Sequence, residues 1–314
     1  MQLPGDDAPP ARAFWLRTED DLRLRIVLWR ADDAHRGTVL LFPGRSEYCE
    51  KYAPRARWLN AQGLNVLCID WRGQGLSDRL LADPRPGHIG SFADYGRDVV
   101  EMTLASAEME LPQPWHLLAH SMGGTIGLAA LLEELPVKTA SFSAPMLGII
   151  KGRLPRGAIN AVSGLAGRVG GSGTPALGTG GRGTYVLDEG FSHNLLTGDP
   201  AEWARFIVEA ASWPELTLGG ASWGWVHAAI AECTRLAALP APDLPALIGI
   251  GSAEAVVSPA AIRERAAGWP SARLLELEGA RHELLMETEE RRDAFLSAMI
   301  ALIDGDEGRE RAGA

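Results

Sequence analysis

The sequence predicts an α/β protein: a mostly parallel sheet of eight strands with helices on both of its faces. Continuous apolar runs at 38–42 and 64–70 have the pattern of strands buried on both faces. Helical segments separate such runs, and strands that alternate with helices form parallel sheets. A further apolar run, 115–119, passes through a serine-containing turn into the apolar helical segment 125–132.

The predicted elements follow this class in order along the chain. Residues 14–18 and 22–30 form an edge hairpin, because apolar and charged residues alternate in 22–26 as on a half-exposed antiparallel strand. The other predicted strands are 38–42, 64–70, 115–119, 137–143, 245–250 and 273–277. The predicted helices are 52–62, 92–109, 125–132, 260–267 and 287–303. Ligands bind at the carboxyl ends of the strands in such sheets, so functional residues are expected just after strands.

The alternation stops between the strands predicted at 137–143 and 245–250, which indicates an insertion. Its glycine-rich part predicts a mobile flap that gates a pocket, because each glycine loses extra backbone entropy when it is ordered. The predicted divisions are a flexible N-terminal tail 1–13, a core 14–146 and 241–303, a cap or lid insertion 147–240 with glycine-rich 164–183, and a flexible C-terminal tail 304–314.

Composition and charge exclude several classes of partner. The chain has 314 residues and a formal net charge of −10, which disfavours nucleic acid and broad anionic surfaces. Cys49, Cys68 and Cys233 have no metal-binding or redox spacing, so free thiols in a reducing compartment are expected. The N-terminal residues lack the apolar core of a signal peptide, and no apolar run reaches transmembrane length. A soluble, cytoplasmic protein is expected.

The stretch around Ser121 has the pattern of a nucleophile elbow, in which a serine lies on a tight turn between a strand and a helix. Small residues at Ala119 and Gly123 allow the strand and the helix to approach each other. The helix N-terminus directs free N–H groups at the place where an oxyanion forms. A turn of small residues without chemistry is the alternative, and the strand–turn–helix context favours the elbow.

Two further residues follow predicted strands in the order that this chemistry requires. Glu254 lies after the strand at 245–250, and His282 lies after the strand at 273–277. The order serine, acid, histidine is that of α/β hydrolases, in which the histidine is the general base and the acid orients it. The alternatives are a solvated surface carboxylate for Glu254 and a surface-loop histidine for His282. His120 is a rival base, but within the elbow its ring should point away from the serine hydroxyl.

Seven motifs carry a resemblance to a known family. They are A-H-S-M-G-G (119–124), P-G-R-S-E (43–47), D-W-R-G-Q-G-L-S-D (70–78), S-A-P-M (143–146), H-N-L-L-T-G-D-P (193–200), G-G-A-S-W-G-W (219–225) and G-A-R-H-E-L-L-M-E (279–287). With these motifs the chain resembles the α/β hydrolases and, more narrowly, the bacterial lysophospholipase and monoacylglycerol lipase group. The resemblance extends over about residues 14–303 and leaves only the two tails outside it.

The resemblance also implies where an oxyanion would be bound. One donor is the backbone N–H of Met122, which follows the nucleophile. The second donor is the backbone N–H of Arg45, in the loop after the third strand. That loop usually begins with His-Gly in the family, whereas here it begins with Pro43 and Gly44. The replacement of histidine by proline should alter the support of the loop and leave the donor unchanged.

The resemblance implies that the substrate is the carboxylic ester of a lipid with one acyl chain. Such a lipid is a lysophospholipid or a monoacylglycerol. The resemblance also implies that no metal or cofactor is required. A short-chain esterase, an acyl thioesterase and a non-catalytic ligand-binding member of the fold are the alternatives. The oligomeric state stays open, and a transient contact with the inner membrane surface through the cap is expected. The predicted pocket residues, whose alternative role is to pack the cap onto the core, are Gly44, Trp203, Trp213, Trp223 and Trp225.

Overall fold

One sheet of eight strands runs through the part of the chain that this computed structural model describes, residues 10–149, 171–181 and 183–305. The strands are β1 Ala11–Arg17, β2 Arg23–Trp29, β3 Thr38–Phe42, β4 Asn65–Asp70, β5 Trp115–His120, β6 Thr139–Ser143, β7 Ala246–Gly251 and β8 Ala272–Leu277. Their order across the sheet is β1-β2-β4-β3-β5-β6-β7-β8. The pairs β1–β2 and β2–β4 are antiparallel and the others are parallel, so the predicted sheet is confirmed.

Helices cover both faces of this sheet, as predicted. In the described ranges they are α1 Ala53–Ala61, α2 Ala93–Glu108, α3 Met122–Leu132, α4 Tyr185–Asp188, α5 Pro200–Ser212, α6 Trp223–Ala237, α7 Pro259–Ala267 and α8 Glu289–Asp304. Side chains of β3 alternate between the faces: Leu40 and Phe42 join a hydrophobic cluster with α2, α3 and α6. Val39 and Leu41 join a second cluster with α1, α5 and α8. Burial on both faces explains the continuous apolar run of β3.

Near both ends of the described chain, regular structure includes residues that were predicted to belong to flexible tails. β1 begins at Ala11, which pairs with Trp29 of β2, so part of the predicted tail 1–13 belongs to the sheet. The first residues of β1 are exposed and are held by backbone hydrogen bonds, which leave no hydrophobic pattern in the sequence. At the other end, α8 extends to Asp304, whose carboxylate accepts a hydrogen bond from Arg36 at 2.9 Å. Most of both predicted tails lies outside the described residues.

The chain leaves the sheet after β6 and returns at β7, and the described part of this insertion contains the helices α4 to α6. Asp199 caps α5 by accepting hydrogen bonds from two backbone N–H groups in its first turn. Of the predicted flap 164–183, residues 164–170 and 182 lie outside the described residues, and 171–181 forms turns and bends. The gating role and the division into core and cap remain predictions.

Candidate active site

Ser121 lies on a tight turn between β5 and α3, with φ 50° and ψ −116°, a region that few non-glycine residues adopt. Its N–H donates to the carbonyl oxygen of Ser143 at 3.1 Å, and its own carbonyl accepts from the N–H of Met146 at 2.8 Å. A Cβ atom on Gly123 would lie 2.1 Å from the carbonyl oxygen of Phe42, so the approach of helix to strand requires glycine there. This is the geometry of a nucleophile elbow.

Met146, three residues beyond β6, is held through both of its backbone polar groups. Its N–H donates to Ser121, and its carbonyl oxygen accepts from the hydroxyl of Thr125 in α3. The thiol of Cys233 in α6 also faces this oxygen, at 3.3 Å. The start of the insertion is therefore fastened to the elbow and to two of the helices that cover this face of the sheet.

His282 joins Ser121 to Glu254 by two hydrogen bonds. Its Nε2 lies 2.9 Å from the Oγ of Ser121, and its Nδ1 lies 2.7 Å from an Oε atom of Glu254. All three residues are buried, and they come from the loops that follow β5, β7 and β8 at the carboxyl edge of the sheet. A hydroxyl bonded to an imidazole that a carboxylate orients is the arrangement that activates serine as a nucleophile.

Glu254 is held in one orientation and in its charged form. Its Oε1 accepts the backbone N–H groups of Val256 at 2.6 Å and Val257 at 3.0 Å, while Oε2 faces His282. Burial alone would raise the pKa of Glu254, but the hydrogen bond and charge of His282 and the two N–H groups lower it below its usual range. A carboxylate here keeps the imidazole proton on Nδ1 and leaves Nε2 free to accept the proton of the serine.

The loop after β3 is held by side chains from the loop after β4. The indole N–H of Trp71 donates to the carbonyl oxygen of Pro43 at 3.0 Å. The amide of Gln74 donates to the carbonyl oxygen of Gly44 at 3.1 Å and accepts the N–H of Ser46 at 2.9 Å. These side chains support the loop that begins with Pro43 and Gly44.

Two backbone N–H groups remain available where this loop meets the elbow. A Cβ on Gly123 would lie 2.6 Å from the carbonyl oxygen of Pro43, so the two segments are in close contact. The N–H of Arg45 has no acceptor among the described residues. Met122 is the first residue of α3, and the first N–H groups of a helix have no intrahelical acceptor. Donors fixed in this way can stabilise negative charge that develops in a transition state.

A buried cluster of four ionisable side chains lies beside His282, and we call it the Lys51 cluster: Glu47, Lys51, His120 and Glu283. The ammonium of Lys51 donates to Glu47 and, at 2.7 Å, to Glu283. The Nε2 of His120 lies 3.3 Å from Glu283, and the rings of His120 and His282 have centroids 4.9 Å apart. The cluster therefore connects the loop after β3, the elbow and the loop that carries His282.

Both ring nitrogens of His120 face hydrogen-bond acceptors. Its Nδ1 lies 3.0 Å from the carbonyl oxygen of Ser143, and its Nε2 faces the carboxylate of Glu283. Burial by itself would lower the pKa of His120, but the charges of Glu283 and Glu47 raise it above its usual value. The ring of His120 therefore faces Ser143 and Glu283 rather than Ser121.

The Lys51 cluster also contains three groups with the spacing of metal ligands. Donor atoms of Glu47, His120 and Glu283 lie within 4.8 Å of one another. The ammonium of Lys51, however, already donates to both carboxylates and so supplies the positive charge between them. These residues fit a cluster of side-chain ion pairs better than a metal site.

The residues predicted to line a pocket lie in separate places. Trp225 is buried in the hydrophobic cluster of α2, α3 and α6, whereas Trp203 is buried in the cluster on the other face of the sheet. Trp213 and Trp223 are half-buried, at the end of α5 and the start of α6. A Cβ on Gly44 would lie 2.9 Å from a carboxylate oxygen of Glu47, so a side chain here would press on the Lys51 cluster. A substrate-binding role for these residues stays a prediction.

Two features of the site were missed by sequence reasoning. One is the Lys51 cluster, for which the local signals are the i, i+4 spacing of Glu47 and Lys51 and the place of Glu283 next to His282. The other is the side chain of Arg45, whose backbone alone was given a role. Its guanidinium reaches into the insertion, and nothing in the local sequence indicates that contact.

The chain is similar to known proteins along most of its length. A family model described as "Serine aminopeptidase, S33" matches residues 33–289. The chain is 32% identical to Lysophospholipase L2 of Escherichia coli (strain K12), covering 93% of this chain and 89% of that protein. It is 29% identical to Probable lysophospholipase L2 of Haemophilus influenzae, covering 87% and 85%. A solved structure of a soluble variant of monoglyceride lipase from Saccharomyces cerevisiae has a TM-score of 0.71 at 17% identity, covering 95% and 97%.

Proposed function

We propose a function from one established premise: the chain belongs to the family described as "Serine aminopeptidase, S33", within the α/β-hydrolase superfamily. It is a hydrolase of carboxylic esters, in keeping with the lysophospholipases among its relatives. The observation that carries our assignment of the site is the hydrogen-bond chain from Ser121 through His282 to Glu254.

In this proposal the reaction proceeds through an acyl-enzyme. Ser121 Oγ attacks the ester carbonyl carbon while its proton passes to Nε2 of His282, and Glu254 stabilises the imidazolium that forms. The backbone N–H groups of Arg45 and Met122 hold the oxyanion of the tetrahedral intermediate. The intermediate collapses, and the leaving alcohol takes the proton from His282. Water then attacks the acyl group with His282 again as the base, which releases the fatty acid and restores the serine.

The substrate is a lipid with a single acyl chain, a lysophospholipid or a monoacylglycerol. The name of the Escherichia coli relative, at 32% identity over most of both chains, supports the lysophospholipid. A monoacylglycerol lipase of Mycolicibacterium smegmatis is 32% identical over a shorter region that covers 34% of this chain.

The test is release of fatty acid from monoacylglycerols, lysophospholipids, acyl thioesters and short p-nitrophenyl esters. Ser121→Ala should abolish hydrolysis of every substrate in the panel, because it removes the hydroxyl on which the proposed acyl-enzyme forms. Ser212→Ala, which changes an exposed serine at the end of α5, is the matched control and should retain wild-type rates.

The outcomes separate the assignments. Preference for a long-chain oxygen ester, lost in Ser121→Ala, supports both the site and the substrate. Preference for a thioester or a short-chain ester would replace the substrate and keep the site. Activity that survives Ser121→Ala would overturn the site, and an inactive wild type would leave a binding role for the fold.

We further propose that the protein acts in the cytoplasm and contacts the inner membrane transiently through the insertion. None of the helices within the described ranges has both the length and the apolar character needed to cross a bilayer. Trp203 and Trp225 are buried, so the expected exposed patch is not made of these tryptophans. The large apolar side chains that are exposed in the described insertion are Leu177, Tyr185, Leu187, Phe191, Leu195, Ile207 and Val208.

Flotation with zwitterionic liposomes tests the membrane contact. Wild type should float with the vesicles, and Leu177→Ser should float less, because Leu177 is 87% exposed and contributes apolar area to the surface. Val100→Ser, at an exposed apolar residue of α2 in the core, is the matched control. If wild type stays at the bottom of the gradient, the membrane contact is refuted.

A further inference from the structure

The guanidinium of Arg45 is a cation without an acidic partner among the described residues. Its Nη2 donates to the carbonyl oxygen of Gly219 at 2.7 Å, and its Cζ lies 5.3 Å from the ring centroid of Trp225. Its Nε is buried and has no hydrogen-bond partner. Burial lowers the pKa of Arg45 to about 10, so the side chain is still charged at neutral pH.

Arg25, Arg55, Arg72 and Arg205 are each within ion-pair distance of at least one carboxylate. Arg79 and Arg265, which are half-buried like Arg45, donate instead to backbone carbonyl oxygens. Unlike these two, Arg45 belongs to the loop that meets the elbow. Removing a charge from water is costly unless a partner of opposite charge accompanies it, so an unpaired buried cation calls for an explanation. Arg45 is half-buried, so part of the residue is accessible from outside the protein.

The place of Arg45 relates its charge to the reacting ester. Its backbone N–H is one of the two proposed oxyanion donors, so the guanidinium lies one arginine side chain away from the ester carbonyl. In a lysophospholipid, the glycerol carbons and bridging oxygens separate the ester carbonyl from the phosphorus by a similar number of bonds. In a monoacylglycerol the same place is taken by an uncharged hydroxyl group.

We propose that Arg45 binds the phosphate of a lysophospholipid head group and thereby selects this substrate over a monoacylglycerol. The inference rests on the proposed ester hydrolase function and names the substrate class of the same site. The Nη1 of Arg45 has no hydrogen-bond partner among the described residues and is the donor offered to a phosphate oxygen. Arginine is well suited to phosphate because its N–H groups are fixed in one plane. Trp225 and Gly219 hold the guanidinium in place before the substrate binds.

The test compares kcat/KM for palmitoyl lysophosphatidylcholine and palmitoyl monoacylglycerol, which share an acyl chain, in the same detergent micelles. Wild type should prefer the lysophospholipid, and Arg45→Gln should reduce that preference about 10- to 100-fold, the effect of losing a charged hydrogen bond. Arg45→Lys keeps the charge and loses the planar donor group, so its preference should fall between the two. The backbone N–H is present in every variant.

Arg265→Gln is the matched control, because Arg265 also donates to backbone carbonyl oxygens, those of Leu236 and Leu239, at a distance from the site. It should leave the substrate preference at the wild-type value. Circular dichroism and thermal melting check that each variant is folded. If Arg45→Gln does not fold, the comparison of Arg45→Lys with wild type decides the matter.

Free phosphate is a second source of the same chemistry, and a separate arm distinguishes it. Inorganic phosphate is titrated against wild-type hydrolysis of p-nitrophenyl butyrate. Absence of inhibition at millimolar phosphate supports the head group as the ligand. Strong inhibition that Arg45→Lys weakens would instead identify a site for free phosphate and overturn the assignment.

The failures of the two proposals can be told apart. A wild type that prefers monoacylglycerol, or a preference that Arg45→Gln leaves unchanged, overturns the role of Arg45 and leaves the ester hydrolase in place. A wild type that cleaves no ester in the panel overturns the proposed function, and the role of Arg45 falls with it.

Discussion

The carboxylate that faces His282 belongs to a glutamate, Glu254, whose side chain is one methylene longer than that of aspartate. The extra length is used, because Oε1 reaches the N–H groups of Val256 and Val257 while Oε2 reaches the imidazole. The loop after β7 is thus built around a glutamate. Position 254 therefore needs a side chain that can contact both the backbone of its own loop and the imidazole of His282.

Changes at Glu254 should therefore reveal both functions of the side chain. Glu254→Gln keeps its size and removes its charge, and we expect kcat for a short p-nitrophenyl ester to fall about 10⁴-fold, as for loss of the orienting charge in other serine hydrolases. Glu254→Asp keeps the charge but shortens the side chain, and an intermediate loss is expected. Glu276→Gln, at an exposed glutamate paired with Arg263, is the control. Near-normal turnover by Glu254→Gln would show that another group orients His282.

At the scale of elements, the Lys51 cluster joins two loops of the site to the end of β5. Glu47 belongs to the loop after β3, His120 ends β5, and Glu283 follows His282 in the loop after β8. Lys51 lies in the 3₁₀ turn before α1 and joins these two loops by its own hydrogen bonds. These side chains are buried, so water and salt screen the interactions between their charges only weakly.

Loss of the Lys51 ammonium would leave two buried carboxylates facing each other. We expect Lys51→Met to lower the free energy of unfolding by about 3–5 kcal/mol, the cost of breaking a buried ion pair from one side. The double variant Lys51→Met, Glu283→Gln removes one of the unpaired charges and should recover part of that loss. Urea denaturation measures both, with Lys138→Met at an exposed lysine as the control. Equal stability of Lys51→Met and Lys138→Met would contradict the role given to the cluster.

Local patterns predicted the elements better than they predicted the contacts between them. β3 was predicted with its observed bounds, because a strand covered on both faces has a continuous apolar run. The elbow could also be recognised from a local pattern, because the small residues around its serine are neighbours in the sequence. The bond between Lys51 and Glu283 joins residues 232 positions apart, and no periodicity relates them. The contact of Arg45 with Gly219, 174 positions away, was missed for the same reason.

For the whole molecule, the parallel sheet gathers groups from distant parts of the chain at one edge. Ser121, Glu254 and His282 follow three different strands and meet there. Glu254 and Glu283, both buried at this edge, are held in their charged forms with a pKa below the usual value of 4.5. The stability of the entire fold is therefore linked to the protonation of this one edge.

This linkage predicts how stability changes with pH. The pKa of Glu254 is lower in the folded chain than in the unfolded chain, so its contribution is fully present above the unfolded value of 4.5. That contribution is lost as pH falls through the folded value. We expect the free energy of unfolding of wild type to decline below pH 4.5 more than that of Glu254→Gln, which has no group to titrate there. Parallel declines of the two proteins in urea denaturation at acid pH would exclude a lowered pKa.

The bonds at Met146 have a mechanical consequence. Met146 is bonded to Ser121 and to Thr125 of α3 in the core, and its carbonyl oxygen also faces Cys233 of α6 in the insertion. We therefore expect a displacement of α6 to be transmitted through Met146 to the turn that carries Ser121. The direction in which the serine oxygen points at the ester would then depend on the position of α6.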